Sequence, residues 1–481
     1  MNSIFWHDYE TFGADTRKDR PCQFAGVRTD LELNIIDEPV TIYCKPNDDF
    51  LPSPDACLIT GITPQLAYQE GVREAEFSHY INSLFSVPGT CVAGYNSIRF
   101  DDEISRNLFY RNFIDPYERE WKNGNSRWDI IDLVRLTHAL RPEGINWPKD
   151  ENGLPSFRLE RLTEANNIAH EAAHDAMSDV YATIAVAKLI KEKQPQLYDY
   201  VFNHRSKSSI LPFFEKRDMK PLFHVSSKFP ASKGCCALVL PLFQHPTNSN
   251  GYVVFDLRQN PEELHLLSND EVKSRLYSKS VDLIAQNKFR PALKTIHINK
   301  CPMISPASVI KSIPDDSLVN WDLSMAKITL HLNWIRSNPE FIAKLLTVFN
   351  EESSFPAESD PDLMIYSGFI NGADKNLLAS VRSASEVELA ENEFPFIDTR
   401  LPELLFRYKA RNFPGTLTDE EQGKWENYRA TKLLNNDSQY LTFENYYRRI
   451  QELASKPNLS EKNKNILEEL KYYGESIIPY N

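Results

Sequence analysis

The residues able to do chemistry begin near the start of the chain. In Phe5-Trp6-His7-Asp8-Tyr9-Glu10-Thr11-Phe12-Gly13 two acids stand two residues apart. A β-strand would carry both on one face, about 6–7 Å from each other. Carboxylates that close repel unless a cation lies between them, and hard divalent ions such as magnesium or manganese take oxygen ligands. A solvated strand edge can hold the same D-x-E pair, so the reading needs companions. Phe100-Asp101-Asp102-Glu103 supplies one. Asp101 opens a predicted helix after a strand and turn, while Asp102 and Glu103 are expected only to cap that helix and favour its dipole. His174-Asp175-Ala176-Met177-Ser178-Asp179 supplies two more. Asp175 is the expected helix cap, Asp179 a further ligand, and His174 the proton acceptor, histidine being the residue type whose ordinary pKa suits that role. His170 with Asp175 repeats the same spacing. The apolar stripe Val180, Ile184, Ala187, Ile190 places the helix start beside His174 and favours that register. Asp8, Glu10, Asp101 and Asp179 could together neutralise two divalent ions about 4 Å apart, the arrangement that clamps an in-line phosphoryl displacement.

The elements that must hold these residues read as α/β over the first 190 positions. Strands are predicted at 4–10, 23–30, 40–45 and 90–95, and helices at about 64–85, 101–113, 129–140, 158–166 and 175–192. Residues 200–300 turn to short β-rich runs at 222–225, 236–240, 252–256 and 294–298, as in a small barrel or sheet. From about 320 the pattern is helical almost to the end. Domain boundaries are expected near 195 and 352.

A chain of 481 residues suggests two to four domains, and 41% hydrophobic with 25% charged residues is a globular composition. The net charge of −13 argues against coating nucleic acid by charge alone. Its distribution says more: residues 1–190 carry −12, residues 191–350 carry +7 and residues 351–481 carry −8. A basic middle marks where a polyanion could be held. Seven scattered cysteines without a C-x-x-C indicate neither a disulfide framework nor a zinc site. Asp8 and Glu10 interrupt any leader-like apolar start, and no apolar run approaches the ~20 residues of a membrane span. A soluble cytoplasmic protein without membrane contact is expected.

The order Asp8-x-Glu10, Asp101, His174-x4-Asp179 resembles the DEDDh exonucleases. Within that group, longer segments look like the bacterial exonuclease I family: Gly94-Tyr95-Asn96, Arg99-Phe100-Asp101-Asp102-Glu103, Arg141-Pro142-Glu143-Gly144-Ile145-Asn146-Trp147-Pro148, His297-Ile298-Asn299-Lys300-Cys301-Pro302, and Arg407-Tyr408-Lys409-Ala410-Arg411-Asn412-Phe413-Pro414-Gly415. The resemblance implies a ribonuclease-H-like exonuclease domain (1–194), a Src-homology-3-like β-barrel domain (195–351) and an α-helical C-terminal domain (352–481). It implies processive 3′-to-5′ hydrolysis of single-stranded DNA to 5′-mononucleotides, serving repair and recombination. The cofactor would be magnesium, two ions per site, with manganese as a substitute. Asp8, Glu10, Asp101 and Asp179 would bind metal, and His174 would be the general base. Glu10, Arg158 and the turn Gly61-Ile62-Thr63 would touch the terminal nucleotide. On residue grounds, Ser156 can cap a helix whose first turn carries Arg158.

Single strands are gripped by cations and by aromatic faces on which bases stack. Residues 99–141 interleave both, and the resemblance favours Arg106, Tyr117, Trp121 and Arg135 as DNA contacts, with Trp128 left to the core. Lys216, Arg217, Lys220, Lys228, Lys233, Lys294 and Lys300 make the middle segment basic, and it is expected to support processivity by closing over the groove. The family also implies binding of the C-terminal tail of single-strand-binding protein, with Arg141 and Arg336 as candidates, by a monomeric enzyme. Two other readings stand beside it: a related exonuclease acting on RNA, and a non-catalytic single-stranded-DNA-binding repair scaffold.

Overall fold

The computed structural model describes residues 2–170, 174–215, 218–350, 358–436 and 438–480. Lys216, Arg217 and the boundary expected near 352 lie outside them. The chain forms two compact units, residues 1–126, 170–184 and 356–481 in the first and residues 127–169 and 185–355 in the second.

In the first unit, β1 (Ser3–Thr11), β2 (Pro21–Thr29), β3 (Val40–Cys44), β4 (Gly71–Val72) and β5 (Thr90–Gly94) lie in the order β4-β3-β2-β1-β5. β1 is antiparallel to β2, with Asp8 opposite Ala25 and Glu10 opposite Gln23, and parallel to β5. Alternation does the rest: Phe5 and Tyr9 point into an apolar cluster with Phe24, Phe77 and Phe85, so Asp8 and Glu10 share the other face. The helix expected over 64–85 is broken into Pro64–Glu70 and Glu74–Phe85, with β4 between them. Gly71 is the reason. A Cβ there would fall 2.3 Å from the Ala67 carbonyl oxygen and 2.9 Å from the Lys45 amide, so only glycine lets the chain press against β3. A helix at Pro54–Thr60 also escaped the sequence pattern.

The C-terminal helices belong to this unit because they share its core. Leu433, Phe443, Tyr446, Ile450, Leu467 and Leu470 pack with Phe12, Cys22, Phe50 and Cys57. Truncating one such leucine to alanine would cost about 2–5 kcal/mol.

The chain passes toward the second unit through β6 (Ser126–Asp129). There β7 (Leu222–Val225), β8 (Cys236–Gln244), β9 (Gly251–Asp256), β10 (Leu293–His297) and β11 (Met303–Pro306) form an antiparallel sheet in the order β10-β9-β8-β7-β11. Four of these strands are legible in the sequence; β11 is short and ends in proline. Three helices, Pro261–His265, Asn269–Tyr277 and Ser280–Ala285, interrupt what reads as a β-rich stretch. The second carries a capping box from Ser268 and Glu271. Trp128 is fully buried against Tyr198 and Phe202, as expected. All seven cysteines are free and buried. Among the described residues no helix is long and apolar enough to cross a membrane.

Candidate catalytic site

All five residues of the carboxylate–histidine set fall in the first unit. β1 presents Asp8 and Glu10, and β5 delivers the chain through a 3-10 turn at Ser97–Arg99 into the helix Asp101–Arg111. Asp101 is buried, and its Oδ1 accepts the Tyr9 N–H at 3.2 Å, which ties the helix start to the strand between the two acids. The helix Ala176–Lys193 supplies Asp179 from its first turn. One ligand atom each from Glu10, His174 and Asp179 lie within 4.8 Å of one another, close enough to hold a metal ion. Asp175 Oδ2 accepts the Ser178 N–H at 3.1 Å and caps the helix, the role expected for it.

The electrostatics are those of buried acids crowded by further acids. Burial comes first, and then the charges of Asp101, Glu10, Asp179 and Asp175, in holding Asp8 well above the usual carboxylate range. Burial, then Asp179, Asp101 and Asp175, push Glu10 up to about 8. Asp179 is also raised, mainly by burial, against the pull of His170 and His174. Oxygen donors that repel one another in this way fit divalent magnesium or manganese, which would remove the repulsion.

Both histidines weighed in the sequence reach Asp179. His174 is exposed, has a positive φ of 70°, and its backbone N–H donates to Asp179 Oδ2 at 3.3 Å. His170, set aside because the apolar stripe starts the helix beside His174, places Nε2 2.5 Å from Asp179 Oδ1. Spacing along the chain could not show this, because a side-chain contact across nine positions is set by the fold and not by the helical period.

Asp102 and Glu103 stand in the first turn of their helix, whose N-cap is Phe100, and each holds an arginine. Asp102 is buried and accepts from Arg119 Nη2 at 2.6 Å, and Glu103 accepts from Arg106 Nη1 at 3.0 Å. Arg106 is itself buried, bonded also to Glu120 at 2.7 and 2.9 Å, and lies 5.3 Å over the Tyr117 ring. Tyr117 meets Phe369 edge-on, and Trp121 is 63% exposed. Gly61 ends the helix Pro54–Thr60 at φ 74°, and Thr63 caps the next one by accepting the Leu66 N–H at 3.3 Å, with Ile62 buried between them.

In the second unit, Arg158 is exposed and occupies the position just before the helix Leu159–Ala165. Ser156 does not cap it, contrary to expectation; its amide bonds the Pro148 carbonyl, in a turn closed by the Lys149–Pro155 bridge. Arg135 is buried, bonded to Asp132 at 2.5 Å and set 5.8 Å over Phe157. Arg141 and Arg336 are exposed.

The Arg407–Leu417 segment, notable in sequence only through family likeness, sits in a second cluster of buried charge. Arg411 bridges Asp49 at 2.8 Å and Asp362 at 2.5 Å; Arg407 also binds Asp362, at 3.0 Å; Lys432 binds Asp49 at 2.8 Å.

Three family models match consecutive stretches: an exonuclease model over residues 5–187, the exonuclease I SH3-like domain over 205–351, and the exonuclease I C-terminal domain over 359–477. This agrees with the expected order of a catalytic α/β domain, an SH3-like domain and a helical domain. The exodeoxyribonuclease I of Haemophilus influenzae is 48% identical over 90% of this chain and 90% of its own. The solved exonuclease I of Methylocaldum szegediense superposes with a TM-score of 0.94 at 48% identity, covering 99% of this chain and 100% of that one. Escherichia coli exonuclease I, solved in complex with a dA16 oligonucleotide, gives a TM-score of 0.93 at 43% identity, with coverage of 99% and 100%.

Proposed function

This chain belongs to the exodeoxyribonuclease I family, and from that premise we propose that it hydrolyses single-stranded DNA processively from the 3′ end. The products are 5′-mononucleotides, and the service is DNA repair and recombination. The observation that carries the reading is the meeting of Glu10, Asp179 and His174 beside Asp8 and Asp101, with the acids' charges unbalanced by one another.

Asp8, Glu10, Asp101 and Asp179 would hold two magnesium ions, for which manganese would substitute. Bound there, the ions would supply charge stabilisation for an in-line displacement at phosphorus. The chain's own work is to position and to move a proton. His174 takes the proton of the attacking water, while β1 and the Tyr9–Asp101 hydrogen bond keep the acids in register. The Gly61-Ile62-Thr63 turn and Glu10 of the first unit would bind the terminal nucleotide, and Arg158 of the second unit is proposed separately as a substrate-binding residue. Trp121 and Tyr117 offer faces for base stacking, with Arg106 and Arg135 contributing charge. The domains follow the boundaries 1–194, 195–351 and 352–481. The enzyme works as a cytoplasmic monomer, and Arg141 and Arg336 receive the acidic, apolar tail of single-strand-binding protein. Charge reversal at those two arginines should weaken tail binding and spare digestion of naked DNA.

The test is digestion of 5′-labelled single-stranded DNA with and without magnesium, beside a 3′-blocked strand and a matched RNA. Shortening from the free 3′ end of DNA that requires magnesium supports the proposal. Strand binding without release of mononucleotides would favour a scaffold, and preference for the RNA would favour the ribonuclease reading.

A further inference from the structure

A cavity of about 200 Å³ lies in the first unit, away from the carboxylate set, between the chain near Asp115–Asn125 and the helix Gly372–Ser383. Six charged side chains line it: Arg119, Lys122, Lys375 and Arg382 against Asp115 and Glu118. Lys375 is bonded to Asp115 at 2.6 Å and Lys122 to Glu118 at 2.8 Å, so two cations answer the two acids. Arg382, also at the wall, donates to the Phe113 carbonyl, a neutral acceptor.

Arg119 is the residue that suggests a ligand. Its side chain is 0% exposed, yet among the described residues its Nε and Nη1 have no hydrogen-bond partner. Nη2 is given to Asp102, and the guanidinium carbon lies 4.8 Å from the centre of the Phe85 ring. Leaving buried charged donors unpaired costs more than a neutral donor would, and an anion is the partner that guanidinium geometry suits. The cavity is large enough for a tetrahedral oxyanion, and its wall is mostly polar: Asn82, Ser86, Asn123 and Asn125 join the charged groups, with Ile114 and Leu378 the apolar part.

We propose that this cavity is a binding site for a phosphate dianion, held by Arg119 and Arg382 with Lys375 at the rim. The ion comes either free or as the phosphate of a 5′-mononucleotide. The site stands whether or not the proposed hydrolysis is correct.

Calorimetry and thermal melting of the full-length chain, with and without magnesium, would use inorganic phosphate and a 5′-mononucleotide as probes, and chloride at matched ionic strength as the control. A saturable signal with either probe, independent of magnesium, is expected, together with a higher melting temperature. Tighter binding of the mononucleotide would identify the ester as the source, and tighter binding of phosphate the free ion. Lys375→Glu, at a half-exposed position, should fold and weaken binding severalfold, and Arg119→Gln should abolish it. No saturable signal, or one that Lys375→Glu and Arg382→Gln leave unchanged, would overturn the proposal. So would binding that needs magnesium and is lost in Asp8→Asn, since that places the ion at the catalytic acids.

Discussion

Two clusters of buried acids occupy the same unit, and their environments push them in opposite directions. Around Asp49, Asp362 and Glu74, burial alone would raise every carboxyl, but Arg411, Arg407, Lys432, Arg20 and Arg111 reverse it and hold all three below the ordinary range. Around Asp8 and Glu10 the neighbouring charges are further acids, and both carboxyls rise. The first cluster is complete within the chain; the second is complete only with cations from solvent. Burial does not distinguish a structural carboxylate from a metal ligand, whereas the sign of its neighbours does.

The largest expected effect separates the two histidines of the second cluster. His174→Ala should lower the rate by about 10²–10⁴ with binding little changed, the loss of a general base. His170→Ala should cost less, since it removes a hydrogen bond to Asp179 and leaves the base in place. Single-turnover digestion of labelled DNA would check both, and the opposite ranking would move the base to His170.

Next comes the complete cluster. Arg411→Met leaves Asp49 with Lys432 and Asp362 with Arg407 but removes the cation that bridges the two acids, and should cost about 3 kcal/mol in denaturant unfolding. Glu10→Gln should do the reverse. Above about pH 8, where Glu10 is ionised, it removes a repelling charge and should stabilise the metal-free protein by about 1–2 kcal/mol while destroying activity. Equal destabilisation by both variants would erase the contrast between the clusters.

The pH dependence follows with its sign. Glu10 has a folded pKa of about 8 against an ordinary 4.5, so the folded state binds the proton more tightly. Its contribution to stability is fully present below pH 4.5 and is lost as pH rises through about 8. Metal-free melting temperatures should fall across that window, and magnesium or manganese should flatten the fall. The depressed acids Asp49 and Glu74 contribute above their ordinary values and lose that contribution as pH falls through their lower folded ones. Melts in chelator and in magnesium, from acid to mildly alkaline pH, would show the two limbs.

The smallest effect is at the exposed ring. Trp121→Ala should weaken strand binding by about 1 kcal/mol, read as a higher KM with kcat held, because one stacking face is lost. A fall in kcat alone would mean that the ring acts on the site's geometry instead.

The site was legible in the sequence where its chemistry is local. Asp8 and Glu10 share a face because strand side chains alternate, and Val180 and Ile184 locate the start of the helix that carries Asp179. The break at Gly71 was not legible, since glycine there is required by a close approach to Lys45 and Ala67 rather than by its neighbours in sequence. The helices between β9 and β10 were missed because short helices lack the length to show a period.

By itself, then, the sequence determined which acids could gather and on which faces of their elements, since both follow from two short periodicities. Tertiary structure decided how each charge is balanced. Asp49 meets Arg411 across 362 positions and Lys432 across 383, and His170 folds back onto Asp179. Counter-charges act through space, and at such separations no periodicity along the chain records them.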